Sequence, residues 1–177
     1  MHPLINDIVG NRDRLLEELR DLTPAQWEFR PTPESWSIFE VTEHVALVEG
    51  GIARMLEGRL FAQTATMEQN AETAGKDSLV VDAMRDREQK RPAPEFVRPR
   101  RKWPTPPEAV AALVDARART VAQLGKETRN LRDYCAPHPS FQTLDGHQWV
   151  LFLVAHAERH LSQIQEIKAD QGYPSWG

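Results

Sequence analysis

The chain has 177 residues, 40% of them apolar and 27% charged, with one cysteine, six histidines and a formal net charge of −4. That length suits a single domain over 1–177, and the composition excludes a disordered chain, a coiled-coil rod and a membrane protein. Charges at Asp7, Arg12, Asp13 and Arg14 exclude a signal-peptide core or spanning helix at the start, and the single Cys135 excludes an internal disulfide and points to a reducing cytoplasm.

Apolar residues at helical spacing (Leu4, Ile8, Leu15, Leu19, Leu22) predict a first helix over 3–22, ended by Thr23-Pro24. A loop with Trp27, Phe29, Pro31 and Pro33 follows. Ser37, with Glu40 three residues on, forms a capping box that opens a second helix running to about 61. A shorter helix is expected over 78–89. Segment 85–102 then carries eight basic and three acidic residues, a net +5 that leaves −9 for the rest of the chain. Six of the 13 prolines lie between Pro92 and Pro107, so this stretch reads as an irregular connection. Its charge suits either a nucleic-acid footprint or a loop packed on the acidic body of the same protein. The second reading is favoured, because no periodic base-reading helix accompanies the charge. Thr105 and Glu108 cap a third long helix to about 128, with Pro106 in its first turn. Asp145 and Gln148 start a fourth, to about 170, with Gly172 as its stop. No segment shows strand alternation. The fold class is all-α, most simply a four-helix bundle with a long Pro-rich basic crossover between the second and third long helices.

On the second helix Ile38, Val41, Val45, Val48, Ile52 and Met55 form one seam, and His44 stands on that inward stripe. On the fourth the seam reads Trp149, Leu153, His156, His160, Ile164, Ile167, so two imidazoles one turn apart occupy core positions. Burying two adjacent histidines is costly unless something accepts both lone pairs. A divalent metal does so, and His44 supplies a third ligand from another helix. The alternative is three separately hydrogen-bonded core histidines. His2, His138 and His147 are expected at the terminus, in a Pro-flanked surface loop and in a first helical turn.

Two metal patterns fail. The zincin helix needs glutamate directly after its first histidine, but Ala157 stands there, and Glu158 points away by about 200° of rotation. Carboxylate-bridged di-iron bundles need Glu-x-x-His on two helices, and neither helix reads that way. Glu40, four before His44, is already used as a cap.

The segment Trp36-Ser37-Ile38-Phe39-Glu40-Val41-Thr42-Glu43-His44-Val45-Ala46 resembles the second-helix motif of the DinB-like (DinB/YfiT) superfamily. The stretch from Trp149 through His156-Ala-Glu-Arg-His160-Leu-Ser-Gln163 resembles its fourth-helix motif. The resemblance implies a bundle of up-down-down-up connectivity, often dimeric. It implies one divalent metal, zinc or nickel, on residues that map onto His44, His156 and His160. It implies no DNA-binding role. Characterised relatives include thiol S-transferases and thiol-dependent isomerases, in which the metal activates a thiol cosubstrate.

Three functions are therefore open. A metal-dependent S-transferase would use a low-molecular-weight thiol against a small electrophile, leaving Cys135 inert. A hydrolase would use the same metal with water, although no inward carboxylate offers a general base. A non-catalytic bundle would bind metal or ligand only. Gln163, one turn beyond His160, either hydrogen-bonds a ligand at the metal or is an ordinary helix-end residue. Trp36 and Trp149 either line a pocket or pack in the core.

Overall fold

A computed structural model describes residues 3–89 and 91–175. Met1, His2, Lys90, Trp176 and Gly177 lie outside the described residues, and with them the expected position of His2 and one charge of the basic segment. Helix α1 (Ile5–Glu18) buries Ile5, Ile8 and Leu15. It ends four residues before the expected stop. A short α2 (Pro24–Glu28) follows, in which Thr23 and Gln26 cap each other. The Trp27 ring meets Phe39 edge-on at 6.5 Å. In α3 (Ile38–Glu57) the predicted Ser37–Glu40 box forms, and the helix breaks at Gly58 before a 3-10 turn (Arg59–Ala62).

The crossover is only partly irregular. It contains α4 (Met67–Thr73) and α5 (Lys76–Arg85), the latter starting before and ending short of the expected 78–89. A second 3-10 turn (Glu95–Val97) interrupts the Pro-rich part. Helix α6 (Pro106–Lys126) starts on the Thr105–Glu108 box, and α7 (Gly146–Lys168) on the Asp145–Gln148 box. Between them the sequence expectation of no strands is corrected. Strands β1 (Cys135–His138) and β2 (Gln142–Asp145) pair antiparallel, with Cys135 opposite Asp145 and His138 opposite Gln142. Each has only four residues, too few for alternation to register.

Side-chain pairs fix the topology. Asn11 donates to the Val154 carbonyl, and Gln165 and Lys168 both reach Glu18, so α1 and α7 run parallel. Arg117 meets Glu49 midway, with Ala109 and Leu113 beside Val41 and Val45 in one apolar cluster and Leu124 beside Ile52 and Leu56 in the other. Helices α3 and α6 are therefore also parallel, and antiparallel to the first pair. The four long helices run up-down-down-up. Helix α5 and the hairpin cover one flank of α7.

Two apolar clusters fill the bundle, one around Ile8, Ile52, Leu56 and Leu153 and the other around Leu15, Val41, Leu113 and Ile164. Buried polar groups lie among them: His44 of α3, His156 and His160 of α7, and an Asn11–Glu49–Arg117 set. No helix among the described residues is long and apolar enough to cross a membrane.

Candidate metal centre

Because α3 and α7 are antiparallel neighbours, His44 on one lies against His156 and His160 on the other. All three are buried. The Nε2 atoms of His44 and of His160 each lie 3.2 Å from Nε2 of His156. A tetrahedral cation with metal–nitrogen bonds of about 2.0–2.1 Å needs ligand edges of about 3.3 Å, so the spacing fits one ion.

The outer nitrogens settle which lone pairs face inward. His44 Nδ1 is 2.7 Å from the Val97 carbonyl, which only accepts, so Nδ1 carries the proton and Nε2 is left as an acceptor. His160 Nδ1 makes the same contact with Gln163 Oε1 at 2.8 Å. Gln163 thus lies on the outer nitrogen of a triad histidine. His156 Nδ1 is buried without a hydrogen-bond partner among the described residues. Burial pushes all three imidazoles down from their ordinary value, most strongly His156, where His160 and His44 add to the effect, and His160, where His44 does. Neutral rings with converging lone pairs are what a cation requires, and imidazole donors suit zinc, nickel, copper or iron.

Aromatic rings surround the cluster. Trp36 lies 5.0 Å from the His44 ring and Phe152 5.2 Å from that of His156. His138 corrects the expectation of a surface loop histidine. It lies on β1, 8% exposed, with its ring among Phe141, Trp149 and Phe152, and Nδ1 accepts from the Ser140 amide. Trp149 packs here too, donating Nε1–H to the Ala136 carbonyl. His147 is partly buried in the first turn of α7. Cys135 sits on β1, and burial pushes its thiol up, away from the reactive thiolate.

The nearby carboxylates are committed elsewhere. Glu40 caps α3 and pairs with Arg30 at 2.6 Å, and Glu158 faces outward to Arg14. Glu43, fully buried, accepts from three consecutive backbone amides of the crossover, those of Arg100 (3.1 Å), Arg101 (3.0 Å) and Lys102 (2.7 Å). The basic segment also meets acids of the body through its side chains: Arg87 pairs with Glu166 and Arg101 with Glu28 at 2.7 and 2.5 Å. The buried Arg117 holds both Glu49 oxygens at 2.7 Å. Reading the chain missed Glu43, Glu49 and Arg117. The signal for the last two was present, since Glu49 falls four after Val45 and three before Ile52, and Arg117 four after Leu113.

Comparison with known proteins follows the same outline. A family model described as the DinB superfamily matches residues 8–164. The chain is 28% identical over 151 residues to the uncharacterized protein YuaE of Bacillus subtilis (strain 168), covering 85% of this chain and 88% of that one. Among solved structures it resembles TT2238, described as a four-helix bundle protein, with a TM-score of 0.57 and 23% identity over 91% of this chain and 94% of that one. It also resembles YfiT from Bacillus subtilis, described as a probable metal-dependent hydrolase with an unusual four-helix bundle topology. Here the TM-score is 0.65 and the identity 17%, over 96% of this chain and 86% of that one.

Proposed function

The chain belongs to the DinB superfamily, and we propose that it is a metal-dependent S-transferase. In this reading His44, His156 and His160 hold one divalent cation, zinc or nickel, and the substrates are a low-molecular-weight thiol and a small electrophile. The observation that carries it is the convergence of three Nε2 atoms, those of His44 and His160 each 3.2 Å from that of His156 and left as acceptors by their outer hydrogen bonds. A cation on three neutral imidazoles keeps positions for other ligands and, when bound, favours the thiolate form of a thiol placed there.

The chain's own groups do the rest. The Val97 carbonyl and Gln163 hold two rings in the required tautomer. Trp36 and Phe152 flank the imidazoles and keep water from them. The carboxylates Glu40, Glu43 and Glu158 are committed to other partners, so no uncommitted carboxylate stands beside the triad among the described residues. A thiol ionises at about 8.5 and water at about 15.7, so the thiol needs far less help from a protein base. Hydrolysis is the second reading, favoured by the description of YfiT.

Protein purified without an affinity tag should carry about one metal per chain, and His156→Ala should remove it. With a panel of low-molecular-weight thiols and monochlorobimane, one thiol should turn over. Ester or amide hydrolysis with no turnover of any thiol would make the protein a hydrolase. Absence of metal from the native protein, or an unchanged content in His156→Ala, overturns the site itself.

A further inference from the structure

Two adjacent residues in the second turn of α3, Glu43 and His44, both reach the crossover, but they do so on different faces. Glu43 is fully buried, and its bonds go to three successive main-chain N–H groups. Arg101 adopts φ of 57° there, the left-handed conformation that lets consecutive amides turn toward one anion. Three residues before that turn, the Val97 carbonyl accepts the His44 Nδ1 proton at 2.7 Å. Between the two contacts the backbone runs only from Val97 to Arg100, so the two anchors lie three residues apart.

We propose that Glu43 is a positioning residue for the metal centre. Its carboxylate pins the 100–102 turn, the pinned turn holds the Val97 carbonyl in place, and that carbonyl sets the tautomer and orientation of His44. The crossover is thereby part of the site, although it supplies no ligand. This inference rests on the metal reading given above. It also accounts for a buried carboxylate bonded to the main chain: its two oxygens accept from all three amides, a task no amide side chain of its size performs, since an amide oxygen accepts but its NH2 faces another donor.

The test uses the full chain, with zinc titrated in competition with a chromophoric chelator, and NMR of metal-free protein carrying labelled histidine to observe the His44 Nδ1 proton. Glu43→Gln should raise the zinc Kd about tenfold or more and erase or shift that proton signal. Arg101 gives a second route should Glu43→Gln fold poorly. Arg101→Val is disfavoured at positive φ and should reproduce the loss, whereas Arg101→Gly removes the same side chain, tolerates that φ and should keep wild-type affinity and signal. Wild-type affinity with an unchanged His44 signal in Glu43→Gln overturns the proposal, as do equal affinities for the two Arg101 variants. If the wild type binds zinc, His156→Ala does not and Glu43→Gln matches the wild type, only the positioning role falls. If the wild type binds neither zinc nor nickel, the metal reading falls, and the His44 proton in metal-free Glu43→Gln still decides the positioning role.

Discussion

Replacing Arg117 by methionine tests the bundle where its polar core is tightest. The guanidinium is 1% exposed and donates to both Glu49 oxygens at 2.7 Å, to the Ile8 carbonyl at 2.9 Å and to Asn11 Oδ1 at 3.0 Å. Methionine fills much of the volume but leaves Glu49 fully buried without its cation. Breaking a buried pair from one side costs about 3–5 kcal/mol. For a chain of this size that lowers Tm by about 6–20 °C, at 2–4 °C per kcal/mol. Burial already pushes the Glu49 carboxyl up, and Arg117 pulls against that shift. Without Arg117 the folded carboxyl rises further, so the folded state of the variant holds a proton that the unfolded chain releases above its ordinary value of 4.5. The variant should therefore gain stability as pH falls from neutrality toward that value, narrowing its deficit against the wild type. Adding Glu49→Leu should return stability to within about 1–2 kcal/mol of wild type, because nothing charged is then left buried. Urea unfolding of the four proteins at two pH values closes the cycle. A single Arg117→Met loss below about 1 kcal/mol, or a double variant no better than the single one, refutes the argument.

Two further substitutions follow from particular contacts. A Cβ at Gly146 would lie 2.8 Å from both the Leu131 carbonyl oxygen and Leu60 Cδ2. The first is backbone and cannot swing away, so Gly146→Ala should destabilise by about 1–3 kcal/mol in urea melts, and a neutral result would mean that the 3-10 turn Leu131–Asp133 yields easily. Burial lowers His138 from 6.5 to about 4. The unfolded chain then takes up a proton below 6.5 that the folded one refuses until about 4, so this contribution is complete above 6.5 and lost as pH falls toward 4. At 1.36 kcal/mol per unit it amounts to about 3 kcal/mol, and His138→Phe should show a shallower acid limb in thermal melts of metal-free protein.

The long helices were legible because apolar seams with helical period run along the first, second and fourth and because capping boxes mark the starts of the last three. The convergence of His44, His156 and His160 was legible for the same reason: each interrupts an aliphatic stripe. Helices α2 and α4 were not, being five and seven residues long. The hairpin escaped because Pro137 and the brevity of its strands hide any alternation, and His138 went with it to the wrong side of the surface. Glu43, Glu49 and Arg117 were overlooked for a different reason. A charged residue on an apolar stripe reads as solvated until its partner is known, and these partners, side chains, a carbonyl and main-chain amides, lie 57 or more residues away. Periodicity reports which face a residue occupies. It carries no information about what waits there.

The parallel arrangement of α1 with α7 has a consequence for the order of events on the ribosome. Helices α1, α3 and α6 are synthesised first, and Arg117 can join Glu49 and Asn11 as soon as α6 emerges. Until α7 follows, the seams of α1 and α3 that it covers stay wet, and His44 stands alone, 112 residues ahead of His156. An ion entering this centre therefore cannot template the early bundle. In the metal reading, its binding waits for His156 and His160 on the last of the long helices.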